Sequence, residues 1–228
     1  MNSESSDTEM RSVANGVEEG GMGAPSLRRR PRRLSQMFAQ IARDADGDVS
    51  VAGIRDAMGD RGFAALLVFF SALNLIPAPP GTTLVLGLPL VFLGAQMAYG
   101  SRRPWLPDFV ARRSITAEQF RALMSRVIPR LERLERFIRP RYWPFWRRRG
   151  DRVIGFVAVV MGVIVTLPIP LGNWLPAFAT ALFGLALSER DGILFALASL
   201  IGVAAFVVIG SVIGTAGYAF DVLVHWYF

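Results

Sequence analysis

Two short polar clusters interrupt otherwise apolar sequence, and they are where this chain could do chemistry. Asn74, Thr82 and Thr83 flank Pro77-Ala78-Pro79-Pro80-Gly81, while Thr166, Asn173 and Trp174 flank Pro168-Ile169-Pro170-Leu171-Gly172. Gln96 is a further polar residue in an apolar run. Proline cannot continue a helix through its interior, so each cluster marks a break. Broken helices expose oriented backbone dipoles, and many transporters place binding sites there. A helix starting after Gly81 or Gly172 would aim free N–H groups at the break, an arrangement suited to anions. Pro77, Pro79, Gly81, Pro168, Pro170 and Gly172, with Asn74, Thr82, Thr83, Gln96, Thr166 and Asn173, thus form a candidate ligand path. The alternative is that Pro-x-Pro-x-Gly is a tight hairpin turn whose Asn and Thr side chains satisfy freed carbonyls. The sequence leaves both open.

Other chemistry is poorly provided for. The chain has no cysteine, which removes disulfides, thiolate nucleophiles and cysteine metal sites. Its single histidine, His225, has no nucleophile and acid at a spacing that would make a catalytic set. Asp44-Ala45-Asp46-Gly47-Asp48 opens like a calcium loop, but Arg55 stands where the bidentate glutamate belongs. No carboxylate lies deep in an apolar stretch, which argues against a simple proton relay. The expectation is a protein that is not an enzyme, with no catalytic, cofactor-binding or metal residues and no cofactor.

The elements that must position these residues are membrane-like. Of 228 residues, 52% are hydrophobic, and the formal charge is +7 with every Lys-or-Arg position an arginine. The arginines sit beside the apolar runs rather than in them, as the positive-inside rule requires, so nucleic acid is not expected as a partner. Phe63 to Tyr99 as one helix would be about 55 Å long, against a hydrocarbon core of about 30 Å. It must fold back at its prolines. Two geometries remain open: a re-entrant hairpin, or two short spans with the turn at the far surface. Val153 to Leu187 is broken in the same way, and Ile193 to Gly214 suffices for one full span, with Tyr218, Trp226 and Tyr227 able to anchor its far end. The fold class expected is all-α and polytopic: two tandem Pro-broken hairpins, one further C-terminal span and an amphipathic segment.

Residues 1–33 read as a disordered cytoplasmic tail without a secretory signal. Residues 34–58 read as short amphipathic helices: Leu34, Met37, Phe38 and Ile41 share one face, Ser50 caps a second helix and Gly59 ends it. Residues 101–150 carry fourteen arginines against four acids. Within them Thr116 and Gln119 have capping-box spacing, and ten apolar residues from Ile115 to Ile138 form one stripe. Arg121, Arg126, Arg130, Arg133 and Arg136 fall largely away from it, and Pro129 should kink or divide the helix. Such a helix suits an anionic headgroup interface, at about 1 kcal/mol per arginine. Its stripe could equally pack on the protein's own membrane domain, and the two are compatible.

The chain repeats itself. Gly59-Asp60-Arg61 recurs as Gly150-Asp151-Arg152, and Pro77-x-Pro79-x-Gly81 as Pro168-x-Pro170-x-Gly172, both at an offset of 91. Punctuation residues at identical spacing point to duplication. Asp60, Arg61, Asp151 and Arg152 are expected as interface caps, paired to each other or to headgroups. If the tail, the 101–150 segment and Arg190 are all cytoplasmic, each hairpin begins and ends on that side, and the copies are parallel rather than inverted.

Gly59-Asp60-Arg61-Gly62-Phe63, Asn74-x-x-Pro77-x-Pro79-Pro80-Gly81, Leu86-Gly87-Leu88-Pro89, Gln96 and Arg102-Arg103-Pro104-Trp105-Leu106-Pro107 resemble the ExoD family of exopolysaccharide-synthesis membrane proteins. So do Arg136-x-x-Arg139-Pro140-Arg141, Pro168-x-Pro170-x-Gly172-Asn173-x-x-Pro176 and Glu189-Arg190-Asp191-Gly192. The likeness covers roughly residues 34–214. It implies a bacterial inner-membrane protein linked to exopolysaccharide production and brings no catalytic residues; the apolar runs and the arginine distribution add the expectation of a multi-pass protein with a cytoplasmic N-terminus. The partners expected are lipids with anionic headgroups, from the Arg-rich segment, and polysaccharide-synthesis machinery, from the resemblance; self-association is compatible with both. The expected function is an accessory protein that moves or gates a lipid-linked or anionic intermediate at the paired breaks. The alternative is a scaffold or regulator docking a partner or anionic lipid through the Arg-rich segment.

Overall fold

The computed structural model describes residues 33–76, 82–138, 147–167 and 172–227. Among them the regular elements are helices apart from one two-residue antiparallel bridge, so the fold is all-α. Helices α1 (Leu34–Asp44) and α2 (Val51–Met58) precede a 3-10 turn, Gly59–Arg61. The central set is α3 (Gly62–Asn74), α4 (Thr82–Tyr99), α7 (Arg147–Thr166), α8 (Trp174–Glu189) and α9 (Gly192–Tyr227). Between α4 and α7 lie a short α5 (Asp108–Ala111) and the amphipathic α6 (Ala117–Phe137).

Local sequence fixes most of these ends. The Ser50 hydroxyl accepts Gly53 N–H at 3.0 Å to start α2, and Gly59, with φ +52°, ends it. Thr116 and Gln119 close a reciprocal capping box on α6. Pro129 does not divide that helix, which runs unbroken from Ala117 to Phe137. The bridge pairs Val49 with Ile115 and Ser50 with Ser114, clamping the start of α2 to the start of α6. At the other end of the chain α9 continues past Gly214 to Tyr227.

The core is organised around α3, in which every residue except Leu73 is buried. It packs on α8, α4 and α2, and Phe69 meets Phe120 of α6 with ring centroids 6.2 Å apart. Most of the apolar stripe of α6 packs on the protein itself: Phe120, Leu123, Met124 and Leu131 are buried and α1 packs on the same helix, while Phe137 at its end is exposed. Arg121 donates to the carbonyls of Ala42 and Ala45 at the end of α1, at 3.0 and 2.6 Å.

The most extensive packing in the molecule joins α4 to α7, followed by α3 with α8 and α8 with α9. Both of the first two pairs are antiparallel, since low-numbered positions of one helix face high-numbered positions of the other. Glycines set the α4–α7 distance. A Cβ on Gly94 would stand 2.6 Å from Val159 N and 2.8 Å from Gly155 O, and one on Gly162 would stand 2.9 Å from Val91 N. Backbone meets backbone there, as in tightly packed membrane helices with small interface residues. In the α3–α8 pair Gly184 plays a milder part, its Cβ position lying 3.0 Å from Ala64 O and 3.1 Å from Leu67 Cβ.

Two described helices are long and apolar enough to cross a membrane, Thr82–Tyr99 and Gly192–Trp226, and Trp174–Glu189 is a shorter apolar helix. Much of this apolar surface faces outward: Val85, Phe156, Leu200 and Phe206 are all exposed. On α9 no described residue beyond Ile209 is buried.

Candidate ligand site at the helix breaks

The arrangement of the four arms brings four helix ends to one end of the bundle. Gly87, near the start of α4, faces Thr166 at the end of α7. The register of Gly184 against Ala64, Leu67 and Val68 carries the end of α3 alongside the start of α8. Asn74 ties the two pairs together, its side-chain amide donating to Phe70 O at 2.9 Å and to Leu86 O of α4 at 3.3 Å.

Among the described residues three buried polar atoms at this end have no hydrogen-bond partner: Ser71 Oγ, Asn74 Oδ1 and Asn173 Oδ1. Their residues are 0%, 3% and 8% exposed. A buried polar atom without a partner costs about 1–3 kcal/mol, so such atoms ask for a reason. Ser71 and Asn74, three apart, share one face of α3. Asn173 sits at the cap of α8 without making a side-chain cap bond.

The other candidate path residues divide. Thr82 and Thr83 stand half-buried in the first turn of α4. The Thr166 hydroxyl donates to Val163 O at 2.6 Å within its own helix, and its methyl is the atom against Gly87. Gln96 lies at the opposite end of α4, where its amide holds the backbone of Trp105 from both sides: Nε2 donates to Trp105 O, and Oε1 accepts Trp105 N at 2.7 Å. Gly172 is half-buried just before Asn173. Pro77, Pro79, Gly81, Pro168 and Pro170 lie outside the described residues.

At that opposite end the expected interface caps part company. Arg61 reaches across to α8, 3.5 Å from both Glu189 Oε1 and Ser188 Oγ. Asp60 is exposed, and Asp151 is exposed on α7 within electrostatic reach of Arg190. The Arg152 guanidinium lies over Gly100, where a Cβ would meet its Nε at 3.2 Å. Burial raises the Glu189 carboxyl above its ordinary range; Arg61 draws it down in part, and Glu135 pushes it up.

Sequence reasoning missed Ser71 at the break end and Glu135 at this one. Glu135 is 2% exposed, and its carboxylate accepts both the N–H and the hydroxyl of Ser35, locking α6 to α1. The signal was present: Glu135 falls four residues after Leu131, on the apolar stripe. Arg126, Arg130, Arg133 and Arg136 remain on the exposed side of α6 with Arg121, and Arg130 also donates to Arg126 O at 2.6 Å. Among the described residues no group of three or more His, Cys, Asp or Glu side chains could hold a metal.

Comparison with known proteins adds a family. The sequence profile described as "Exopolysaccharide synthesis, ExoD" matches residues 34–211. Protein ExoD of Rhizobium meliloti (strain 1021) is 30% identical over 172 residues, covering 72% of this chain and 71% of that protein. An uncharacterized protein of Synechocystis sp. is 27% identical over 166 residues, covering 71% of this chain and 78% of that one. No solved structure matches.

Proposed function

The chain belongs to the ExoD family of exopolysaccharide synthesis, and from that premise we propose that it is an accessory inner-membrane protein of polymer production. In this reading it crosses the membrane several times with a cytoplasmic N-terminus, catalyses no reaction, and moves or gates a polymer intermediate at its paired helix breaks. The observation that carries the reading is the convergence of the helix ends flanking both breaks on one end of the bundle, where three buried polar atoms lack partners among the described residues.

Equivalent contacts in the two broken stretches support a duplicated design. Gly94 faces Gly155, Ala158 and Val159, while Gly184 faces Ala64, Leu67 and Val68, each lying 91 positions earlier. Helix α4 ends at Gly100 and α8 at Arg190, both with positive φ. Ser101 N bonds Gln96 O, and Asp191 N bonds Ala186 O, in the same cap 90 positions apart. Each copy's first arm thus lies on the other copy's second arm. That exchange supports a reading in which the helix ends flanking the two breaks share one end of the bundle, as in transporter repeats.

Replacing Asn74 and Asn173, or Pro77 and Pro168, is expected to reduce exopolysaccharide output while membrane insertion persists. Normal output from well-inserted variants would overturn the reading.

A second reading is favoured by the exposed arginines of α6: a scaffold that docks anionic headgroups or a partner of the synthesis machinery. Neutralising Arg130, Arg133 and Arg136 should then lower output more than changing the breaks, and unchanged output would remove it.

A further inference from the structure

We infer that the break end of the bundle takes an uncharged, hydroxyl-bearing ligand, such as the sugar portion of an intermediate, rather than an anion. The inference rests on the reading of the breaks as a ligand path and names what that path accepts.

The first argument is the chemistry of the atoms left over. Both amide hydrogens of Asn74 are directed to carbonyl oxygens, Phe70 O and Leu86 O, so its free atom is the oxygen, an acceptor. Asn173 offers a second free oxygen, and Ser71 a hydroxyl able to accept or donate. Two carbonyl-type acceptors and one hydroxyl are met by a group that donates hydrogen bonds. A phosphate or carboxylate oxygen would leave the Asn74 acceptor unpaired and repelled.

The second argument is the field. One helix C-terminus and one N-terminus meet in each antiparallel pair: α3 ends beside the start of α8, and α7 ends beside the start of α4. Half-charges of opposite sign therefore lie together and offset one another. The N-terminus of α8 is also a poor anion cradle. Pro176 in its first turn has no N–H, and Ala177 N already bonds Asn173 O at 3.1 Å. No basic residue occurs between Arg61 and Arg102 or between Arg152 and Arg190 to balance an anion. A hard cation wants six or more oxygens and usually a carboxylate, more than this set provides. A neutral hydroxyl fits both the atoms and the field.

A trapped water would satisfy the same atoms, so the test must separate a small-molecule path from a sealed structural site. The chain's lack of cysteine allows a single reporter. Thr83→Cys protein in proteoliposomes would be labelled with a membrane-impermeant thiol reagent, alone and with glycerol, D-glucose, D-galactose or inorganic phosphate. Severalfold slowing by at least one of the neutral polyols and none by phosphate is expected. Adding Ser71→Ala should abolish that protection while the melting temperature holds or rises, because the variant removes a buried unpaired hydroxyl. Protection by phosphate alone would overturn the ligand class and leave the path standing. Labelling that no probe slows would overturn the inference, with the site left open to water only. A reporter thiol that never reacts would remove the path itself, and the inference with it.

Discussion

The two antiparallel pairs of the bundle, α4 with α7 and α3 with α8, run in the same sense, yet they are held together differently. In α4–α7 four glycines, Gly87, Gly94, Gly155 and Gly162, let backbones touch. In α3–α8 the one glycine at the contact is Gly184, and two of the three atoms nearest its Cβ position belong to side chains, of Leu67 and Val68. The reason lies in their neighbours. Helix α3 is enclosed by α2, α4, α6 and α8, so its Phe and Leu side chains always find a partner. Helices α4 and α7 keep exposed apolar flanks at Leu84, Val85, Phe156 and Val163. If, as proposed, those flanks meet lipid, the pair gains nothing by hiding them and gains instead from close van der Waals contact.

Substitutions that add one methyl should rank the pairs. Gly94→Ala and Gly155→Ala put a Cβ into facing backbone that cannot rotate away. They should cost more than about 3 kcal/mol, or prevent the protein from accumulating in the membrane. Thermal melts in detergent would show it, and near-wild-type melting would mean that the α4–α7 crossing is looser than described. Gly184→Ala meets contacts of 3.0–3.1 Å, partly with flexible side chains, and should cost only about 1–2 kcal/mol.

The capped ends extend the comparison. Arg61 forms a half-buried pair with Glu189, whereas Arg152 lies over the backbone at Gly100. Arg61→Ala should cost about 1 kcal/mol and Arg152→Ala less, both read by melting. The pH dependence separates them further. Because burial raises Glu189 above its ordinary value, the folded protein holds that proton after the unfolded chain has lost it. Stability therefore falls as pH rises from the usual carboxylate range to the raised value, then levels off. Glu189→Gln should flatten that fall, and Arg61→Ala should carry it to higher pH. Identical profiles in wild type and Glu189→Gln would show that the carboxyl is not the source.

The smallest effect is expected at the far end of α9. Gly210→Ala meets open space and should be neutral or stabilising by up to about 1 kcal/mol from helix propensity. A loss comparable to Gly94→Ala would mean that this glycine, too, faces a close helix, from a second copy of the chain.

What the sequence determined by itself was local. The prolines told where two apolar stretches must break, because a missing N–H and a fixed φ act on the residue that carries them. Ser50, Gly59 and the Thr116–Gln119 pair marked helix ends for the same reason. Tertiary structure decided everything that depends on partners distant in the chain. It directed the α6 stripe onto α1 and α3, buried Glu135 a hundred residues from Ser35, and gave Arg61 a partner on α8. It also separated candidates that look alike as letters: Gln96 and Thr166 are satisfied by nearby backbone, while Asn74 and Asn173 keep free atoms at one buried end, joined there by Ser71, which the sequence did not single out. A polar side chain shows its type in the sequence; whether its hydrogen bonds are met depends on which helices the fold sets around it.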